Sequence, residues 1–196
     1  MTRILLAALA VLLSGHVNAA DYRHGPYAGV TLGYATGSLT NNTGDLTTDG
    51  VPVSGIVGYT HAIAGGLVVG VELEGVWNNV KGSQTDRGFT LEASTDWTAA
   101  LKARIGYAAG PALIYATAGP SWSKGKIELL GLKDTSTNLG ILAGAGVDLQ
   151  LTETIAMRLE AVRQFSSGQE WTLGTASTKL DAGETTLRAG VIFNLN

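Results

Sequence analysis

Residues 95–107 read TDWTAALKARIGY, and the alternation within this stretch decides the fold. Every second position is polar, small or charged and includes Asp96, Lys102 and Arg104, whereas the positions between them are apolar and begin at Trp97. Successive side chains of a β-strand point to opposite faces, and a soluble sheet covers its apolar face with a second layer. The sequence offers no such layer. We therefore predict that the apolar face meets lipid and that the charged face lines the inside of a closed barrel.

The same two-residue period recurs along the chain. It marks eight segments of about ten residues, separated by turn-forming residues: 27–36, 51–60, 67–78, 95–107, 113–122, 139–150, 154–165 and 185–195. Short connectors (61–66, 108–112 and 151–153) alternate with long ones (37–50, 79–94, 123–138 and 166–184). Membrane-spanning strands need roughly 9–11 residues. The pattern predicts an all-β, eight-stranded antiparallel transmembrane β-barrel, an up-and-down meander with four long loops on one rim.

The first residues have the character of a cleavable secretory signal peptide. Arg3 supplies a positive start, a ten-residue apolar stretch follows at 4–13, and small residues precede a cleavage point after Ala19. A membrane-anchoring helix would need about 18 apolar residues, which this run does not reach. We therefore expect a signal peptide at 1–19 and the barrel domain at 20–196.

Composition excludes several classes of function. The formal net charge is −3 and no basic cluster is present, so we predict no nucleic-acid partner. After removal of the signal peptide, His24 and His61 are the remaining histidines, one near the mature N-terminus and the other at a short turn. Neither is expected beside a serine and a carboxylate at the outer rim, and they lack a third ligand at metal-binding spacing. We predict no enzyme activity, no metal and no cofactor.

Ten charged residues lie in the eight segments, and by alternation nine of them point inward. These nine are Glu72, Glu74, Asp96, Lys102, Arg104, Asp148, Arg158, Glu160 and Arg188. An eight-stranded barrel is about wide enough for side chains alone, and unpaired charges in it would be unfavourable. We expect Glu72 or Glu74 to pair with Lys102 or Arg104, and Arg158 to pair with Glu160 or Asp148. The network is interpreted as a polar filling of the barrel, with a narrow ion path as the alternative.

Several inward positions are glycines, including Gly58 and Gly146. We interpret Gly146 as making room for long arginine and glutamate side chains from neighbouring strands. Gly58 is expected to do the same or to ease the bending of the closing sheet.

Aromatic residues on the outward side fall near the ends of the segments. Tyr34, Trp77, Trp97, Trp122 and Phe165 lie near the rim with long loops, and Tyr59, Tyr107 and Phe193 lie near the rim with short turns. Aromatic rings concentrate at both interfaces of a membrane, so two aromatic belts are predicted.

Arg163 is the one charge that alternation places on the lipid side. One hypothesis is that its side chain contacts an anionic headgroup of outer-leaflet lipopolysaccharide. The alternative is a local bulge that turns the side chain inward.

The chain resembles the small eight-stranded outer-membrane barrels, the family of the OmpA transmembrane domain and of the surface-antigen and opacity-type proteins. The resemblance lies in YAGVTLGY at 27–34, GVE at 70–72, Trp97 with ARIGY at 103–107, and RLE at 158–160. It implies the outer membrane of a Gram-negative envelope, with lipid, lipopolysaccharide and the outer-membrane assembly machinery as partners. It also implies a structural barrel that presents four surface loops. A loop-mediated adhesin or ligand-binding antigen and a low-conductance, porin-like channel are the alternatives.

Overall fold

A computed structural model describes residues 25–41, 44–86, 89–129, 132–173 and 176–195 of the chain. Side chains are described at 25–37, 49–77, 97–124, 139–165 and 183–195. The predicted signal peptide at 1–19 and His24 lie outside the described residues, as does the side chain of Asp96. Within the described part of the chain, no helix has the length and apolar character needed to cross a membrane.

Nine antiparallel strands make up the described structure. Their bounds are β1 Gly25–Asn41, β2 Gly44–Gly50, β3 Val53–Ala62, β4 Leu67–Asp86, β5 Phe89–Ala109, β6 Ala112–Leu129, β7 Leu132–Gln150, β8 Ile155–Leu173 and β9 Ala176–Asn194. From β3 to β9, each strand pairs with the next one in the chain. β1 pairs with β2, β3 and β9, and β2 also pairs with β4. The pairing of β1 with β9 closes the sheet and removes its free edges.

The wall of the barrel nevertheless has eight strands, because β2 and β3 together form one of them. The ladder from β1 passes from β2, which ends at Gly50, to β3, which starts at Val53. Pro52 lies at the interruption and has no N–H to donate to a ladder, although its carbonyl accepts a hydrogen bond from Gly33 N at 2.9 Å. The predicted eight-stranded antiparallel meander is confirmed, with the second strand broken at this proline.

The short connectors are tight turns. Gly110 and Pro111 join β5 to β6, and Gly110 has φ +60. Between β3 and β4, a 3₁₀ turn at Ala64–Gly66 contains Gly65 and Gly66 with φ +80 and +83. Positive φ is readily adopted by glycine, which fixes where these turns form.

The prediction that the four long connectors are loops is wrong, because their backbone is mostly paired. Most of each predicted loop continues the adjacent strands as a paired hairpin. β4 and β5 pair out to Asp86 and Phe89, and β8 and β9 pair out to Leu173 and Ala176. The barrel therefore carries long β-hairpins on one rim.

Following the register around the wall measures the stagger of the strands. A path that starts at Val71 passes through Ala103, Arg163 and Thr36 and returns to β4 at Lys81, ten residues further along the chain. Closure with such a stagger requires the strands to tilt by roughly 35–45° from the barrel axis. Because of this stagger, register partners on neighbouring strands do not lie at the same height along the barrel axis.

Burial separates the two sides of the wall as alternation predicts. On β5, Lys102 and Arg104 are 1% and 5% exposed, whereas Leu101 and Ile105 are 48% and 55% exposed. Such an inverted arrangement, with charges inside and aliphatic groups outside, suits a barrel surrounded by lipid.

Candidate functional site: a charge network across the barrel interior

Lys102 joins two glutamates of the neighbouring strand. Its Nζ contacts Glu72 Oε1 and lies 2.8 Å from Glu74 Oε2. Glu72 and Lys102 are register partners on β4 and β5, so the first contact follows from strand pairing alone. A third carboxylate, that of Glu160, lies 3.9 Å from the same ammonium group.

Asp148 joins two arginines. Arg158, its register partner on β8, donates from Nε to Oδ1 at 2.8 Å and from Nη2 to Oδ2 at 2.9 Å. Arg104 on β5 donates from Nη2 to the same Oδ2 at 2.8 Å. Paired N–H donors on one carboxylate are among the stronger and more directional contacts in proteins.

Two further contacts span the lumen and connect these pairs. Arg158 Nη1 donates to Glu72 Oε2 at 2.6 Å, which links β8 to β4. Arg188 Nη1 contacts Glu74 Oε1, while Arg188 Nε lies 2.9 Å from Glu160 Oε2. The structure thus pairs Arg158 with Asp148, and the partner of Glu160 is Arg188. Neighbouring pairs and cross-lumen contacts form one connected network.

The eight charged residues that form the network balance one another. Four carboxylates face four cations, and all eight are buried: Glu72, Glu74, Asp148, Glu160, Lys102, Arg104, Arg158 and Arg188. Arg158 is 0% exposed and is among the largest fully buried side chains. Buried charges are tolerated when they are paired and hydrogen-bonded, so this balance makes a charged interior compatible with folding.

Two buried tyrosines complete the network and were not among the predicted site residues. Tyr27 donates its hydroxyl hydrogen to Glu72 Oε2 at 2.7 Å and accepts a hydrogen bond from Arg104 Nη1 at 2.8 Å. Tyr115 donates to Glu160 Oε1 at 3.1 Å, and the Arg104 guanidinium lies 3.7 Å from its ring centroid. Alternation places both tyrosines on the inward side, but the predicted interior network contains charged residues alone.

Glycines make room for these rings. Gly58 is the register partner of Tyr27, and an added Cβ there would overlap the tyrosine ring. Gly146 is the register partner of Tyr115, and its Cβ would lie 2.5 Å from the tyrosine hydroxyl. The interpretation that Gly146 makes room for arginine and glutamate is wrong, because the space is filled by an aromatic ring.

Apolar side chains border the network at both ends. Val68, Ala108 and Leu113 pack with Tyr115 on the side of the short turns. Leu142 and Val162 pack with Ala100 on the side of the long hairpins. The interior is therefore not filled by polar groups alone. An apolar cluster on each side flanks the layer of paired charges.

The predicted interface aromatics all lie exposed on the outside of the wall. Heights along the barrel axis can be compared once the stagger of the strands is taken into account. The five aromatic residues near the long hairpins then lie within about two residue positions, or roughly 5 Å, of one another. The three near the short turns form a second level roughly 20 Å away. This spacing is close to the apolar band of about 25 Å in outer-membrane barrels.

Arg163 is exposed on the outside, between Ala143 of β7 and Thr185 of β9. The register of both ladders is continuous at this point, and the shift on β8 occurs beyond Ser166. The alternative of a bulge that turns Arg163 inward is therefore wrong.

The structure describes one of the two histidines that remain after the predicted signal peptide. His61 is exposed near the end of β3, on the rim with short turns. Within the described ranges, no group of three or more histidine, cysteine, aspartate or glutamate side chains is placed to hold a metal ion.

The closed barrel, its lipid-suited exterior and its paired interior define an outer-membrane β-barrel protein. A family model described as the outer membrane protein beta-barrel domain matches residues 5–193, and the chain belongs to this family. It is 30% identical over 171 residues to the 25 kDa outer-membrane immunogenic protein of Brucella abortus, covering 85% of this chain and 76% of that protein. It is 26% identical over 169 residues to the 22 kDa outer membrane protein of Rhizobium leguminosarum, covering 81% and 74%.

Solved structures support the fold independently of sequence. The outer membrane protein OprG of Pseudomonas aeruginosa matches with a TM-score of 0.57 at 14% identity, covering 90% of this chain and 99% of that one. Neisserial surface protein A matches with a TM-score of 0.54 at 16% identity, covering 86% and 97%. The predicted outer-membrane location is confirmed by the family and by these relatives.

Proposed function

We propose that this protein is a structural barrel of the outer membrane, sealed to ions and displaying four β-hairpins at the cell surface. The observation that carries the proposal is the pair of contacts from Arg158, which bonds Asp148 on its own side and Glu72 on the opposite wall. A side chain held from both walls with 0% exposure occupies the centre of the lumen.

The surroundings of Arg158 support the same conclusion. Two apolar clusters flank the charged layer, and an ion would have to leave water to pass them. The eight charges of the network neutralise one another, so this layer offers no excess charge to attract an ion, and a further inward carboxylate, Glu184, lies nearer the rim with long hairpins. A narrow ion path would require these pairs to open together.

Conductance distinguishes the sealed barrel from the channel alternative. The refolded protein is inserted into a planar lipid bilayer, and its folded state is checked by heat-modifiable migration on a detergent gel. We expect the wild-type current to equal that of the lipid alone. Steady channels in the wild type, with a current altered by Arg158→Ala, would establish the low-conductance channel instead.

The long hairpins support the second part of the proposal, surface display. β8 leaves the outer aromatic level at Phe165 and continues to Leu173, paired with β9. Turns of outer-membrane barrels are short on the periplasmic side, so we infer that these hairpins lie outside the cell. The relative in Brucella abortus is named an immunogenic protein, and exposed hairpins are where an antigen or adhesin would be recognised.

Adhesion or ligand binding is therefore the second candidate function. Its test is to remove one hairpin at a time, for example residues 167–181, and to measure binding to host cells. Barrels that still show heat-modifiable migration but lose binding would support an adhesin. Unchanged binding after each of the four deletions would count against it and leave the structural role.

We further infer that outer-membrane lipid and lipopolysaccharide surround the outward face and that the outer-membrane assembly machinery inserts the chain. The exposed aliphatic surface between the two aromatic levels supports the first inference. We infer no enzymatic role, because His61 lies at the short-turn rim, away from the surface-exposed end.

A further inference from the structure

Arg163 differs from every other described residue of the lipid-facing surface. Among the described side chains, it alone carries a charge on the outward face between the two aromatic levels. It makes no ion pair with a described carboxylate, and the contact that it does make is with the ring of Phe165. The described carboxylates therefore supply no counterion for this cation.

The side chain of Arg163 extends toward the rim with long hairpins. Its guanidinium carbon lies 5.4 Å from the ring centroid of Phe165, which follows it on the same face of β8. Its Nη2 lies 3.5 Å from the point where a Cβ on Gly183 would stand. Gly183 is the register partner of Phe165, so both neighbours lie further out than the Arg163 backbone. The guanidinium therefore rises to the outer aromatic level, as long cationic side chains do near headgroups.

Hydroxyl groups lie beside this arginine. Thr185 is its register partner on β9, and Thr36 is in turn the register partner of Thr185 on β1. All three residues belong to the outward face of adjacent strands. One guanidinium and two hydroxyls supply N–H and O–H donors, a combination that suits a phosphate group. The next outward residue along this path, Asp49 on β2, is the register partner of Thr36 and lies beyond the outer aromatic level.

The surface below these polar groups is apolar. Leu187 on β9 and Leu159 on β8 are 63% and 54% exposed, and both lie nearer the middle of the membrane than Arg163. A ligand that fits both parts carries a phosphate at headgroup height and acyl chains beneath it. The short turns face the periplasm, so the leaflet at this level is the outer one.

We propose that Arg163, Thr185 and Thr36 bind a phosphate of the lipid A part of lipopolysaccharide, with its acyl chains packed on Leu159 and Leu187. The guanidinium provides the positive charge and directional N–H donors, and Gly183 has no side chain to fill the space above it. The inference rests on the outer-membrane location and does not depend on whether the lumen conducts, so the conductance experiment cannot overturn it.

The test uses the full mature protein refolded in detergent micelles and titrated with bisphosphorylated lipid A. We expect Arg163→Ala to weaken binding about tenfold, as loss of one charge-assisted contact does, and Arg163→Lys to weaken it less. Dephosphorylated lipid A should bind the wild type about as weakly as intact lipid A binds Arg163→Ala. Every variant is first checked for heat-modifiable migration.

Lys124 provides the matched control. It lies on β6 as the register partner of Trp97 and is a second outward cation, two strands from Arg163 and beyond the aromatic level. We expect Lys124→Ala to bind lipid A like the wild type. An equal loss in both variants would overturn the site in favour of diffuse charge attraction, as would unchanged binding in Arg163→Ala. Competition by inorganic phosphate at concentrations equal to those of lipid A would overturn the choice of a lipid.

Discussion

Arg158 and Glu72 stand four strands apart in an eight-stranded wall, yet Arg158 Nη1 donates a hydrogen bond to Glu72 Oε2 at 2.6 Å. A direct contact between opposite walls shows how narrow the lumen is. It also makes the two sides of the barrel depend on each other, because each residue has further partners on its own side. The network therefore acts as a cross-brace through the interior.

Removal of Glu72 is expected to be strongly destabilising. Glu72→Ala leaves Lys102 and Arg158 short of one carboxylate each, and breaking a buried pair by removing one partner costs roughly 3–5 kcal/mol. The measurement is denaturant unfolding of the barrel in phospholipid vesicles, followed by tryptophan fluorescence. Leu73→Ala, one residue along on the lipid side, is the control and should lower the free energy of unfolding by less. Equal losses would contradict a bracing role.

The fit of Tyr27 against Gly58 yields a second prediction. Gly58→Ala places a methyl group inside the tyrosine ring, and overpacking of this kind costs typically about 1–3 kcal/mol. Gly75→Ala is the matched control, because Gly75 lies on the neighbouring strand with no atom within 4 Å of its added Cβ. That change should alter the free energy of unfolding by no more than about 0.5 kcal/mol. The same unfolding assay compares them, and similar effects would mean that the ring is free to move aside.

Tyr115 combines a hydrogen bond and a ring contact that can be separated. Tyr115→Phe keeps the ring under Arg104 and loses the bond to Glu160, at a cost of roughly 1.5–3 kcal/mol for a bond to a charged group. Tyr115→Leu also loses the cation–π contact, which adds about 2 kcal/mol at a desolvated site. Unfolding of the two variants should therefore differ. If both were equally stable, the 3.7 Å approach of Arg104 would contribute nothing.

The sequence was sufficient to predict which side of the wall each strand residue occupies. The side depends only on parity within a strand, so Lys102 and Leu101 could be assigned to opposite sides without knowledge of any partner. The contact of Glu74 with Arg188 could not be predicted in this way. It depends on the ten-residue stagger and on the distance across the lumen, and neither quantity can be inferred from the sequence of a single strand.

The hairpins beyond the membrane were missed for a related physical reason. Outside the lipid, neither face of a strand needs to be apolar, so the alternation that identifies a strand disappears while the backbone pairing continues. The stretch 79–94 is rich in Gly, Ser and Thr, a composition that predicts a loop. β4 and β5 nonetheless remain paired through it, as far as Asp86 and Phe89.

The two aromatic levels predict how the cost of an outward-facing charge varies with its depth in the membrane. Leu73 lies midway between the two aromatic levels, whereas Tyr34 lies at the outer one. Arginine facing lipid costs about 2–4 kcal/mol at the midplane of a barrel and about 0–1 near an interface. We expect Leu73→Arg to lower the free energy of unfolding in vesicles by the larger amount and Tyr34→Arg by the smaller. The two sites are both more than half exposed, at 53% and 56%, so a difference between them reports depth rather than packing. Equal losses would mean that the aromatic levels do not coincide with the membrane interfaces, and the headgroup height assigned to Arg163 would be lost with them.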